Sequence, residues 1–183
     1  MIIDHGAITS YFPYWVKDEN GNKIRNPRWT KECGFILDIK ENGQKCNNAK
    51  NWALPQLLEV IRKKVVAPAR INVVCIVPGH VANSVSPALV DLSRTMAARL
   101  QAIAYPTLVQ RIHTIEKLAY GANRAEHVHY QSMQVSDPGA VQGQTVLLID
   151  DVRTTGNSMK VASMLLEQAG ARVVHRIAIG QTG

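Results

Sequence analysis

Asp150 and Asp151 stand side by side after an apolar run, Val146-Leu147-Leu148-Ile149, and before Val152-Arg153-Thr154-Thr155-Gly156-Asn157-Ser158. The run predicts a buried strand that carries both carboxylates to its C-terminal end, the edge at which open α/β sheets bind ligands. Thr154, Thr155, Gly156, Asn157 and Ser158 predict a short loop that becomes the N-terminus of a helix. Backbone N–H groups, small hydroxyls and the positive end of a helix dipole make such a loop a phosphate cradle. Gly156 lets the backbone approach the anion closely. Carboxylates repel phosphate, so the two acids must face something else, either sugar hydroxyls or a metal. A ligand with vicinal hydroxyls and a terminal phosphate, a ribose 5-phosphate, satisfies both halves. The bland alternative is a capped helix after a core strand, with both acids merely solvated.

This segment closely resembles the signature with which type I phosphoribosyltransferases bind phosphoribosyl diphosphate (PRPP): four apolar residues, two acids, two spacers, Thr-Thr-Gly and a small hydroxyl residue. The resemblance covers roughly residues 70–180. It implies that Asp150 and Asp151 contact the ribose hydroxyls, directly or through Mg2+, and that Thr154, Thr155, Gly156, Asn157 and Ser158 wrap the 5-phosphate. It also implies a diphosphate-binding loop after the first core strand, where Pro78, Gly79 and His80 stand, and a catalytic loop after Arg111. Arg111, Lys117 and Arg124 are its basic candidates for the leaving diphosphate, Lys117 and Arg124 as catalytic cations. The order Arg111, Lys117, Asn123-Arg124 is also similar to ComF-type phosphoribosyltransferases. The chain departs from that type in having no zinc-binding N-terminus and no basic cluster after Pro78. Related enzymes acting on 6-oxopurines often carry an acid where Thr154 stands, which argues against such an acceptor. The implied activity is transfer of the 5-phosphoribosyl group to a nucleobase or related nitrogen acceptor. The alternative is a non-catalytic PRPP or nucleotide sensor working with a nucleic-acid or protein partner.

The elements that must position these residues alternate from residue 71 onward. Ile71–Val77 predicts a buried strand closed by Pro78-Gly79. Leu89, Leu92, Met96, Leu100 and Ile103 recur at helical spacing over Pro87–Ala104. Pro106–Ile112, Val146–Ile149 and Arg172–Ile179 supply further strands. Ala162, Leu165, Leu166 and Ala169 mark a helix that Gly170 closes. Strand-helix repetition of this kind predicts an open, mostly parallel α/β sheet with helices on both faces. The polar stretch Arg111–Val141 is long enough to be functional, and His127–Gln131 within it is a candidate extended segment. One domain over 1–183 is expected, with a hood-like region at 1–50 and a PRPP-binding core at 70–180.

The first 50 residues have a different texture. Seven of the ten aromatic residues lie at or before Trp52, and Asn20-Gly21-Asn22 and Glu41-Asn42-Gly43 are turn signals that predict short strands. Leu54, Leu57, Leu58, Ile61 and Val65 then predict a helix ending on Arg62-Lys63-Lys64, a favourable place for cations. Residues 1–70 carry twelve Lys or Arg against seven acids, the remainder nine against seven, so most of the +7 charge lies in the first part. A basic balance suits any polyanion, a diphosphate-bearing sugar or nucleic acid alike. The scattered Cys33, Cys46 and Cys75 offer no Cys-x-x-Cys zinc spacing and fit reduced thiols. No apolar run approaches a membrane span, and the start lacks the pattern of a secretory signal, so a cytoplasmic protein is expected, with a homodimer open.

Overall fold

The computed structural model describes residues 1–41, 45–65, 70–116 and 125–182. The chain opens with strand β1 (Ile2–Tyr11), a hairpin of β2 (Trp15–Lys17) and β3 (Lys23–Arg25), and two helices, α1 (Lys31–Glu41) and α2 (Cys46–Lys64). Then follow β4 (Val73–Ile76), α3 (Pro87–Leu100), β5 (Ile103–Ala104), β6 (Val109–Arg111), α4 (Glu126–Ser132) and β7 (Met133–Val135). Strand β8 (Thr145–Arg153), α5 (Asn157–Gln168) and β9 (Val173–Thr182) complete it. Five strands form one sheet in the order β1-β9-β8-β4-β5, and every neighbouring pair runs parallel.

The period of two along each strand splits the core cleanly. Val74, Ile76, Leu147, Ile149, Ile177 and Ile179 meet α1, α2 and α3 on one face. Val73, Cys75, Val146, Leu148, Val174 and Ala178 meet α5 and the β6–β7 ribbon on the other. Strands buried on both faces read as continuous apolar runs, as these do. Burial also pushes the Cys75 thiol far above its ordinary value, leaving it an inert small hydrophobe. Helix α3 starts on Ser86, whose Oγ accepts from the Leu89 N–H at 3.4 Å, with Pro87 at the first turn.

Three expectations need correction. The helix expected over Pro87–Ala104 stops at Leu100, because Gln101 turns left-handed (φ 54°) and releases Ile103–Ala104 to pair with β4. Pro106–Ile112 supplies no strand of the main sheet: Val109–Arg111 pairs antiparallel with Met133–Val135 in a separate ribbon. His127–Gln131 is helical, part of α4, whose His129 and Ser132 turn inward. The N-terminal region also contributes more than short strands, since β1 is an edge of the main sheet and α1 packs beside it. Gly6 (φ 76°) shifts the register between Asp4 and Ala7, which interrupts the strand pattern in sequence.

Beneath the end of α2, His5 of β1 and His175 of β9 stack at 5.1 Å between ring centroids, with His5 Nε2 and His175 Nδ1 2.9 Å apart. One ring N–H donates to the other ring's bare nitrogen, so the accepting ring is neutral, and burial disfavours a charge on either. Burial, and secondarily His5, lowers His175 from 6.5 to about 4; burial and then Lys64 lower His5. A depressed folded value means that this stability is complete above pH 6.5 and drains away as pH falls toward 4. Relative to His175→Gln, which does not titrate, the wild type should lose about 2–3 kcal/mol between pH 7.5 and pH 4 in urea unfolding. A constant difference across that range would show that the pair does not titrate as a buried unit.

Candidate functional site

Strand β8 runs past the apolar core and carries Asp150 and Asp151 to the C-terminal edge of the sheet, opposite Ala178 and beyond on β9. Both carboxylates are half-buried. Each accepts a bond from the backbone that follows it: the Asp151 N–H donates to Asp150 Oδ1 at 2.9 Å, and the Val152 N–H to Asp151 Oδ1 at 2.6 Å. Burial and the neighbouring Asp151 charge push the Asp150 carboxyl well above the usual carboxylate range, with Lys40 of α1 pulling the other way. Two adjacent carboxyl groups at a strand end can meet hydroxyl groups or a cation.

The loop after them turns into the N-terminus of α5. Gly156 sits at φ 80°, a conformation strained for other residues, and opens α5 without a capping side chain. The Asn157 N–H donates to Thr155 Oγ1 at 3.4 Å, and Thr154 and Thr155 are exposed at the rim. Ser158 lies in the first turn of α5. A neighbouring strand end completes the rim. The Val77 N–H donates to the Ile149 carbonyl at 2.9 Å, so β4 and β8 stay paired until Pro78, and Gly79 and His80 emerge beside Asp150. A Cβ on Gly79 would meet nothing within 4 Å, so open space lies against its backbone.

Arg111 is placed differently from a cation reaching for solvent. It is 2% exposed and fully enclosed behind the Pro78–His80 loop. Its Nε donates to the Gly79 carbonyl, its Nη1 to Ser132 Oγ at 2.5 Å, and its Nη2 lies 3.5 Å from His129 Nδ1. Backbone bonds from Ile115 to His80 and from Asn83 to Arg111, each 2.9 Å, zip the two segments together. Lys117 and Arg124 lie outside the described residues. The structure therefore brings together Asp150, Asp151, Thr154, Thr155, Gly156, Asn157, Ser158, Pro78, Gly79 and His80, and sets Arg111 behind them.

Two residues near the site were given no role in the sequence reading. Lys40 approaches from α1, its Nζ 5.9 Å from the Tyr11 ring, and its charge acts on Asp150. Only the unforeseen helix α1 brings it there. Arg153, between the acids and the Thr154–Ser158 loop, binds Asp4 and Gln181. Its cationic type inside an otherwise neutral loop was the available signal.

Among the described residues no group of three or more His, Cys, Asp and Glu is arranged to hold a metal ion. The Asp150–Asp151 pair instead fits a hard cation held mainly by a substrate, since magnesium commonly takes one or two carboxylates together with substrate phosphates. No described helix is long and apolar enough to cross a membrane.

Residues 91–179 match the model of the phosphoribosyl transferase domain, a span that includes both acids and the loop. The chain aligns with a crystal structure of adenine phosphoribosyltransferase at TM-score 0.54 and 16% identity, over 91% of this chain and 83% of that one. The Saccharomyces cerevisiae adenine phosphoribosyltransferase aligns at TM-score 0.49 and 18% identity, over 91% and 82% of the two chains. The Rhodothermus marinus enzyme gives 0.49 and 18%, over 91% and 92%. No curated protein matches the chain in sequence.

Proposed function

We propose, from the match of residues 91–179 to the phosphoribosyl transferase domain and from the site at the end of β8, that the chain transfers the 5-phosphoribosyl group of PRPP to a nitrogen acceptor with release of diphosphate. The observation that carries this reading is the pairing of Asp150 and Asp151 with a glycine-opened helix N-terminus at one strand end. In the reaction the bond between ribose C1 and the diphosphate oxygen breaks, its electron pair leaving with the oxygen. The acceptor nitrogen forms the new bond from the opposite side. The transition state resembles an oxocarbenium ion, so alignment and charge neutralisation matter more than covalent participation.

Asp150 and Asp151 hold the ribose hydroxyls, and the 154–158 segment holds the 5-phosphate through backbone N–H groups. Pro78, Gly79 and His80 face the diphosphate, and Arg111 fixes their loop from behind. Lys117 and Arg124 remain candidates for neutralising the leaving group. Mg2+ bound with the diphosphate would supply charge neutralisation there, and Asp150 and Asp151 are the residues that would meet it. A base-recognition role falls to the β2–β3 hairpin, which follows β1 from the same end of the sheet. Tyr11 pairs with Thr182 there, and Tyr14 and Trp15 come next. Thr154, a hydroxyl, speaks against a 6-oxopurine acceptor.

The test is the melting temperature of the protein with PRPP and magnesium, followed by a screen of nitrogen acceptors for diphosphate release. Ligand at about 100 times its dissociation constant adds about 2.7 kcal/mol, a rise of roughly 5–10 °C for a chain of this size. No rise at millimolar PRPP sinks the reading. A second reading, a module that binds nucleic acid, draws on the hairpin itself: Trp15 is 45% exposed, with Lys23 Nζ 5.0 Å over its ring and exposed Lys17 and Arg25 alongside. Salt-sensitive oligonucleotide binding that persists without Asp150 and Asp151 would favour it.

A further inference from the structure

We infer that Asp4 and Gln181 are positioning residues for the phosphate loop, acting through Arg153; the inference rests on the phosphoribosyl reading above. Arg153 is the only cation between Thr145 and Ser158, and a phosphate would attract it. Its side chain lies instead against Gly156, where an added Cβ would come within 3.1 Å of Arg153 Cδ. Its guanidinium ends on Asp4 of β1, with Nη1 2.9 Å from Oδ1 and 2.8 Å from Oδ2, while Nε donates to Gln181 Oε1 at 2.5 Å. Asp4 is itself fixed, accepting from the Gly6 N–H at 2.9 Å and from Arg176 Nη2 at 2.9 Å.

Gln181 works on both sides of the same joint. While its Oε1 takes the Arg153 Nε, its Nε2 donates to the Thr154 carbonyl at 3.0 Å. Thr182 Oγ1 donates to the Arg153 carbonyl at 3.5 Å. Carbonyl oxygens repel phosphate, and here two successive ones are turned onto β9. A trans peptide is planar and points its N–H opposite to its C=O. Fixing these two carbonyls therefore aims the Thr154 and Thr155 N–H groups away from β9. The strap turns Arg153 away from the phosphate site and sets the direction of the loop's donors. Charge-assisted bonds fixed on both sides of one residue hold that residue more firmly than a lone surface pair does.

The experiment is calorimetric titration of the full chain with PRPP, ribose 5-phosphate and inorganic diphosphate, each with magnesium. It compares wild type with Asp4→Asn, Gln181→Leu, Arg153→Met and Asp4→Asn/Arg153→Met, all verified as folded by circular dichroism. PRPP and ribose 5-phosphate should weaken about 10-fold in each single variant, and diphosphate should stay within about 2-fold. The double variant should bind no worse than Arg153→Met, since Asp4 acts through it. Unchanged or tighter ribose 5-phosphate binding in the folded variants overturns the inference. So does an equal loss for diphosphate, which would mark a general structural role. A wild type that does not bind PRPP defeats the phosphoribosyl reading, and the inference with it. Binding by wild type and every variant alike defeats the inference alone.

Discussion

Asp150→Asn/Asp151→Asn protein is expected to lose PRPP affinity by about two to four orders of magnitude while melting at the same temperature as wild type or higher. Hydrogen bonds to charged groups are worth about 1.5–3 kcal/mol each, and the substitution weakens the contacts of two carboxylates with the sugar. Stability moves the other way. Asp150 is held above its ordinary value of 3.8 by burial and by Asp151, so its charged form is costlier in the folded chain than in the unfolded one. The free protein therefore gains stability as pH falls from the folded value toward 3.8, and at pH 7.5 it carries an uncompensated cost. Asparagine removes that cost and keeps an oxygen for the Asp151 and Val152 N–H groups. Titration with PRPP and thermal melts at pH 7.5 measure both effects. A double variant that binds PRPP like wild type would take the carboxylates out of the site.

Arg111→Met should be the most damaging single change to the fold outside the apolar core. The substitution keeps a long side chain in the enclosed space. It deprives the Gly79 carbonyl, Ser132 Oγ and His129 of their guanidinium partner. Each buried polar partner left unsatisfied costs about 1–3 kcal/mol, so the loss is about 3–5 kcal/mol, or roughly 10–15 °C in melting temperature. Arg111→Lys keeps the charge without the planar fork and should fall in between. If Arg111 instead reaches out to the diphosphate, the melting temperature will hardly move and diphosphate affinity alone will fall.

Arg111 also shows where sequence reading runs out. Its type and position suggested a cation for the leaving group, and nothing local says that its three nitrogens are consumed by Gly79, Ser132 and His129. Two of those partners lie eighteen and twenty-one residues away, on a helix whose short polar sequence looked extended. The β8 loop was legible because its parts are contiguous: strand, acids, glycine and helix follow one another, and local chemistry fixes each. The central strands β4, β8 and β9 were legible for the same reason, since burial on both faces leaves long apolar runs. Strand β1 was not. Its edge position leaves most residues only half-buried, and Gly6 breaks the alternation. Helix α1 was hidden because Gly34 sits in its first turn, where a Cβ would press within 3.1 Å of Trp29. With α1 unseen, Lys40 had no route to Asp150.

The pairing of β1 with β9 sets a timetable for synthesis. Asp4 and Arg176 are 172 residues apart in the chain, and among the described residues β1 has no other neighbour in the sheet. At about 5–20 residues per second, a ribosome leaves β1 waiting roughly 10–35 s for its partner. During that interval its unsatisfied backbone is open to chaperones and to premature pairing with other nascent chains. The ion pair between Asp4 and Arg153 waits on the same docking of β1 beside β9, so the loop at Thr154–Ser158 takes its final shape late in folding.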